Sequence, residues 1–199
     1  MATDAGVLPS LEWLERRAAE RHLLLRVRSG RPLGLLHGIR AAVAGRRADG
    51  QLVLLGDLKG WAVPTAAGVR FDTLRVPGRQ AGAPNRGVGP LLAAAAFAWA
   101  LEATPCRRAR ILAIRDNDQQ HRRLVRYFRG LGFTPLRELG AGVLDLAPRL
   151  IWGGSGLLMQ VDCQLGLIRS LAQLERSWCG AGAFSPAGLP RTPSRYRRW

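Results

Sequence analysis

From Pro90 to Leu101 the chain reads PLLAAAAFAWAL, without one polar side chain, until Glu102 interrupts it and Pro105 follows. A helix that is apolar on every side has nothing to show to water, so it is buried in a protein core or in a bilayer. Spanning a bilayer takes about 20 apolar residues, and this run is well short of that. It predicts a core helix over Pro90–Ala103, with the rest of the chain layered around it. Pro90 suits a first helical position, where its missing N–H costs nothing, and Pro105 stops the helix.

The flanking segments supply the layers. SLEWLERRAAE predicts a short amphipathic helix with Leu11, Leu14 and Ala18 inward. RHLLLRVRS reads as a strand stopping at Gly30, and RPLGLLHGIRAAVAGRRADG as a weak helix or loop closing on the Asp49-Gly50 turn. QLVLLGDLKGWAV reads as a bent strand, or as a hairpin turning near Gly56 or Gly60. VRFDTLRV is a strand whose alternation puts Phe71, Thr73 and Arg75 on one face and Asp72, Leu74 and Val76 on the other. Beyond the apolar helix come a strand (RRARILAIR) and a helix (DNDQQHRRLVRYFRGLGF) capped by Asp116 or Asn117, with Leu124, Val125, Phe128 and Leu131 as its stripe. TPLREL and RLIWGGSGLLMQVD supply one or two more strands, the second broken at Gly153-Gly154, and CQLGLIRSLAQLERSW a last helix. Helices alternating with strands after an antiparallel start predict an α/β (α+β) three-layer fold around one mixed sheet.

The core helix is preceded by a glycine loop, NRGVG. Gly82 and Gly87 have P-loop separation, but Val88 stands where that loop needs lysine. Gly87, Val88 and Gly89 begin a dinucleotide fingerprint, but Leu92 occupies the third glycine position. What is left is Arg-Gly-x-Gly between a strand and a buried helix. Such a loop either turns tightly and does nothing more, or it offers backbone amides at a helix N-terminus to an anion. Pro90 has no N–H, so the donors would be Arg86 to Gly89, then Leu91 and Leu92.

The net charge is +16, and every basic residue but Lys59 is arginine. Such a charge attracts polyanions, yet an arginine-, alanine- and glycine-rich composition also produces it by drift. No stacking pattern of aromatics between basic residues marks a nucleic-acid reader. Trp61, Trp99 and Trp152 read as core or sheet-face packing, and Arg122, Arg126 and Arg129 as a solvated helical stripe. Cys106, Cys163 and Cys179 have no metal-ligand spacing and make an odd set, which suits reduced thiols in the cytoplasm. No metal is expected. Asp4 precedes any apolar run, so no secretory signal is read at the N-terminus.

Two segments together resemble the GNAT superfamily of acyl-CoA N-acyltransferases. FDTLRVPGRQAGAPNRGVGPLL is similar to that family's strand, pyrophosphate loop and helix. ILAIRDNDQQHRRLVRYFRGLGF is similar to its next strand and the helix ending in Leu-Gly-Phe, here Leu131-Gly132-Phe133. GDLKGW and RLIWGGSGLLM are similar to a cyanobacterial and plastid-type subset, which extends the resemblance over about residues 20–165.

The resemblance implies a GNAT-type three-layer fold with a mostly antiparallel sheet. It implies acetyl transfer from acetyl-CoA to a primary amine on a protein or small molecule, by direct attack in a ternary complex. Loop amides at Arg86, Gly87, Val88, Gly89 and Leu91 would hold the pyrophosphate. The backbone of Leu74, Arg75 and Val76 would pair with the pantetheine arm and polarise the thioester carbonyl. Asp72 stands at the place of the family's base. Phe128 occupies the place of its tyrosine acid, with Tyr127 one step earlier, about 100° round the helix. His121 stands where an asparagine often contacts the CoA arm; as a lone residue it also reads as an exposed helix histidine.

The chain divides as a leader and short helix (1–20), a GNAT-like domain (21–165), a C-terminal helix (166–179) and a disordered basic tail (180–199). An acyl-CoA sensor or adaptor without chemistry is the second expectation, motivated by Phe128. A nucleic-acid-associated protein is the third. No membrane partner is expected, and the amine acceptor and oligomeric state stay open.

Overall fold

The computed structural model describes residues 8–34, 36–47, 50–65, 68–76, 87–140 and 142–179. The expected leader, the basic tail and Arg86 lie wholly or largely outside that set. The chain builds helix α1 (Leu11–Ala19), strands β1 (Leu23–Leu33), β2 (Leu36–Arg46), β3 (Leu52–Ala62) and β4 (Val69–Arg75), then helix α2 (Val88–Ala103). Strand β5 (Arg108–Ile114), helix α3 (Asp118–Gly130), strand β6 (Thr134–Leu139), helix α4 (Leu146–Trp152), strand β7 (Gly156–Asp162) and helix α5 (Cys163–Cys179) follow. The seven strands form one sheet in the order β1-β2-β3-β4-β5-β7-β6. Every neighbouring pair is antiparallel except β4 and β5. The mixed, mostly antiparallel sheet flanked by helices is the fold class expected.

α2 is buried around its whole circumference, as its composition requires. Its alanines let it lie close to the sheet and to α5, and α1 closes over it, with Glu102 accepting a hydrogen bond from the Leu11 amide at 2.8 Å. Phe97 touches both layers. The ring meets Phe71 of β4 edge-on at 5.5 Å and lies 6.0 Å from Phe133. On α5, a Cβ at Gly166 would come within 2.5 Å of the Phe97 ring. α3 joins this helix layer through Gly130 against Gln173 and Gly132 against Arg169, both on α5. α4 sits on the opposite, largely open face. It is held from its N-terminal end, where the Gly140 amide and the Arg137 guanidinium draw the Asp145 carboxyl below its usual range.

Several elements differ from expectation. Residues 36–46 are strand β2, where a weak helix or loop was expected. Ile39, Ala41 and Val43 face the helices while Arg40 faces out, and pairing with β1 and β3 on both sides overrides the low strand propensity of alanine and glycine. β1 runs past Gly30 to pair with β2. β3 is continuous, bulged at Leu55, with no hairpin at Gly56 or Gly60. α2 starts at Val88, so Pro90 stands third in the helix, still within the first turn where no N–H is needed. RLIW belongs to helix α4, and the chain re-enters the sheet only at Gly156. α3 is capped by Asn117, whose side chain accepts from the Gln119 and Gln120 amides.

Two outcomes follow from this packing. Gly to Ala inside a helix ordinarily stabilises by about 1 kcal/mol. Gly166→Ala reverses the sign, since overpacking against Phe97 costs about 1–3 kcal/mol, read as a lower Tm. Cys163 is fully buried, and burial first, then the Asp162 charge, pushes its thiol up to about 12. Cys106 is also buried and Cys179 is exposed. Iodoacetamide on the native protein therefore labels Cys179 well before the other two, as mass spectrometry checks.

Candidate functional site

The site begins with one extra residue in β4. Phe71 stands opposite Gly60 and Thr73 opposite Lys59, so Asp72 has no partner on β3. A bulge of this kind bends its strand and raises the local twist. On the other side, β4 pairs with β5 only through Val69, Arg70 and Phe71, opposite Ala109, Arg110 and Ile111. Past the bulge the two parallel strands part. Thr73–Arg75 keep their pairing to β3, and Leu112–Ile114 keep theirs to β7. Each strand thus turns an edge without a strand partner toward a gap between them. Backbone groups along such an edge need partners, and an extended chain bearing amides can supply them.

The extra residue also reverses the faces beyond it. Leu74 stands opposite the core residue Leu58 and packs toward the helices, as does Val76. Asp72 lies on the open face with Arg70, and Thr73 lies there too, opposite the outward Lys59. The strict alternation expected from sequence, with Asp72 sharing a face with Leu74 and Val76, is therefore corrected by the bulge. Arg75, opposite Asp57, is exposed.

α2 starts where β4 ends. The Val76 methyl lies 3.7 Å from the position a Cβ would take on Gly89. Gly87, the N-cap, sits in the left-handed region at φ 76°, which admits glycine without strain, and among the described residues no side chain caps the helix. No acidic residue occupies the first turn. The Leu91 amide donates to the Gly87 carbonyl at 2.9 Å, the first bond of the helix. Leu91 is therefore spent within α2, and the helix-start donors for an anion are Gly87, Val88 and Gly89. Arg86 lies outside the described residues.

Tyr127 reaches this helix start from α3. Its hydroxyl lies 2.6 Å from where a Cβ on Gly89 would be, and it has no hydrogen-bond partner although it is buried. Burial raises the phenol pKa, so the group stays protonated through neutral pH. Phe128, the next residue, turns into the core against Tyr127 and Phe133. The 100° step along the helix thus aims Tyr127 at the end of β4 and α2 and removes Phe128 from it. Tyr127, and not Phe128, thus faces the start of α2.

His121 is 8% exposed, not the surface histidine that a lone helix residue suggests. Its Nδ1 lies 3.2 Å from the Ile114 carbonyl. A carbonyl only accepts, so Nδ1 carries the proton in this contact and Nε2 is left as an acceptor. His121 therefore stands at the end of β5, on the far bank of the gap from β4. Arg122, Arg126 and Arg129 are exposed, as a solvated stripe would be.

Asp72 is engaged on the open face. The Arg70 Nε lies 2.5 Å from its Oδ1, with the N–H not aligned for a hydrogen bond, so the contact is one of charge. The Arg70 guanidinium stacks 4.3 Å from the Trp152 ring and 5.3 Å from the Trp61 ring, and it donates to the Ile151 carbonyl. Stacks of this kind contribute about 0.5–2 kcal/mol each. Arg70 was not singled out from sequence. Its signal was its place two residues before Asp72 on one strand, which puts both side chains on one face.

The structure thus gathers Leu74, Val76, Gly87, Val88, Gly89 and Tyr127 on the helix side of the gap, places His121 at the end of β5, and sets Asp72 on the open face. A buried hydroxyl without a partner destabilises by about 1–3 kcal/mol, so Tyr127→Phe raises the Tm of the unliganded protein. Gly89→Ala lowers it, and the double variant recovers part of that loss, since the atom in collision is gone. The folded phenol pKa lies above the unfolded value of about 10, so above that pH the unfolded chain ionises first and stability falls as pH rises. Alkaline melts of Tyr127→Phe show a shallower fall.

No protein-family model matches the chain, and no curated protein sequence matches it.

Proposed function

We propose that the chain is a GNAT-type N-acetyltransferase that moves an acetyl group from acetyl-CoA to a primary amine by direct attack in a ternary complex. The observation that carries this reading is the free edge of β4 beyond Phe71, which ends against the start of α2. A pantetheine arm is an extended chain with two amides, and an edge of that kind is what it would pair with. The uncapped amides of Gly87, Val88 and Gly89 would take the pyrophosphate, with the helix dipole behind them. Tyr127, whose hydroxyl is protonated, dry and unpartnered beside Gly89, would donate to the pyrophosphate there. Asp72 would take the amine proton from the open face, and Arg70 with its two tryptophans holds it there. The gap beside Asp72 would take the reacting carbonyl.

The seven-stranded mixed sheet is compatible with the GNAT-type fold. Among the described residues, no helix is long and apolar enough to cross a membrane, and the three thiols are unpaired, which suits a reducing cytoplasm. The second reading, an acyl-CoA-binding sensor or adaptor, is favoured by one observation: the Asp72 carboxylate is already engaged by Arg70. Phe128, with no hydroxyl at the place of the family's acid, also motivates that reading.

Isothermal titration of the full chain with acetyl-CoA should give one site per chain, lost in Gly89→Glu, whose side chain would occupy the space of the Tyr127 hydroxyl. No binding by the folded protein overturns the proposal. Turnover of acetyl-CoA with a panel of primary amines should fall about 10²-fold in kcat for Asp72→Asn, whereas Tyr127→Phe should weaken acetyl-CoA binding. Binding without turnover of any amine assigns the sensor reading instead.

A further inference from the structure

The open face of β1–β3 carries a second feature, independent of the gap. Arg28 stands directly opposite Arg40, and Arg40 directly opposite Lys59. Residues facing one another across neighbouring strands have Cβ atoms about 5 Å apart, and like charges so placed destabilise a sheet. All three side chains are exposed, and among the described residues none of them has an ion-pair partner. Two carboxylates lie near Lys59, Asp57 two residues along β3 and Asp72 beside Thr73 on β4; Asp72 is engaged by Arg70, and neither forms an ion pair with the three among the described residues.

The next row along the same face explains what the charges surround. Gly30 stands opposite Gly38, and Gly38 opposite Trp61. Two glycines side by side leave a floor without side chains, and a Cβ on Gly30 would meet nothing within 4 Å. The result is a pocket of about 460 Å³, floored by Gly30 and Gly38, walled by Trp61, and edged by Arg28, Arg40 and Lys59. A volume of this size suits a small molecule. Glycine in a strand interior weakens the strand and often marks the close approach of a ligand.

We propose that this pocket binds a small polyanion, a molecule bearing phosphate or several carboxylates, whose charges meet Arg28, Arg40 and Lys59 and whose body lies on the two glycines against Trp61. Three cations facing one another without counter-charges are relieved by a ligand with two or more negative charges. A neutral ligand leaves the repulsion in place. Trp61 also touches the Arg70 guanidinium that holds Asp72, so the ligand lies on the same face as the proposed base. The pocket stands whether or not the acyl-transfer reading does.

Sodium pyrophosphate and trisodium citrate, each titrated into the full chain at constant ionic strength, test it. Saturable binding of at least one is expected, tighter for pyrophosphate if the ligand bears phosphate and for citrate if it bears carboxylates. Arg40→Ala and Lys59→Ala should each weaken it at least tenfold, while Arg40→Lys keeps most of it. The part of the binding lost in Arg40→Ala should persist in Gly89→Glu, and Arg40→Ala should leave acetyl-CoA binding unchanged, which separates this pocket from the start of α2. Absence of saturable binding of both anions overturns the proposal, as does binding that ignores Arg40→Ala and Lys59→Ala.

Discussion

One unpaired residue in β4 organises the molecule's candidate chemistry. Asp72 has no partner across β3, and the bend it introduces turns the strand away from β5. The parallel pairing ends at Phe71, and a free backbone edge results in the middle of the sheet rather than at its rim. The same residue reverses the faces, so that Leu74 and Val76 look toward the helices and Asp72 looks away from them. Without the extra residue, strands β4 and β5 could stay paired along their length. The proposed base would then be walled off from the helix side by a closed sheet.

The helix layer supports that gap through close approach rather than through side-chain bulk. α2 is rich in alanine and lies deep in the core, and glycine at Gly166 and Gly89 leaves room for Phe97 and for the Tyr127 hydroxyl. Gly89 is the more telling of the two. Its missing side chain is filled by a polar atom with no partner, at the start of a helix with no cap. A purely structural turn gains nothing from that arrangement, because a buried hydroxyl without a partner costs stability. On the open face the logic runs the other way: Arg70 is held by two aromatic rings and a carboxylate, while Arg28, Arg40 and Lys59 face one another with no counter-charge.

The sequence made the core helix, the strands around it and the glycine loop legible, because each is marked by a run of one residue character or by a breaker. β2 was hidden, since alanine and glycine blur the two-residue period that Ile39, Ala41 and Val43 follow. α4 was hidden because its apolar residues Leu150 and Ile151 are exposed and give no helical stripe to read. The faces of β4 were misread for a physical reason: alternation assumes an unbroken pleat, and a bulge leaves no mark in residue types. His121 could have been placed in the buried face, since it precedes Leu124 by three residues and Phe128 by seven. Arg70 and Tyr127 needed coordinates, because their significance lies in contacts with Trp152 and Gly89, distant in sequence.

In the proposed reaction acetyl-CoA lies along the edge of β4 opened by Asp72. Amide hydrogen exchange with and without acetyl-CoA tests it most directly. The account predicts slowed exchange in the peptides covering Asp72–Val76 and Gly87–Gly89 on addition of acetyl-CoA, with β1 and β2 unchanged. Binding that leaves exchange at Asp72–Val76 as it was, or protects only segments away from the gap, would contradict it.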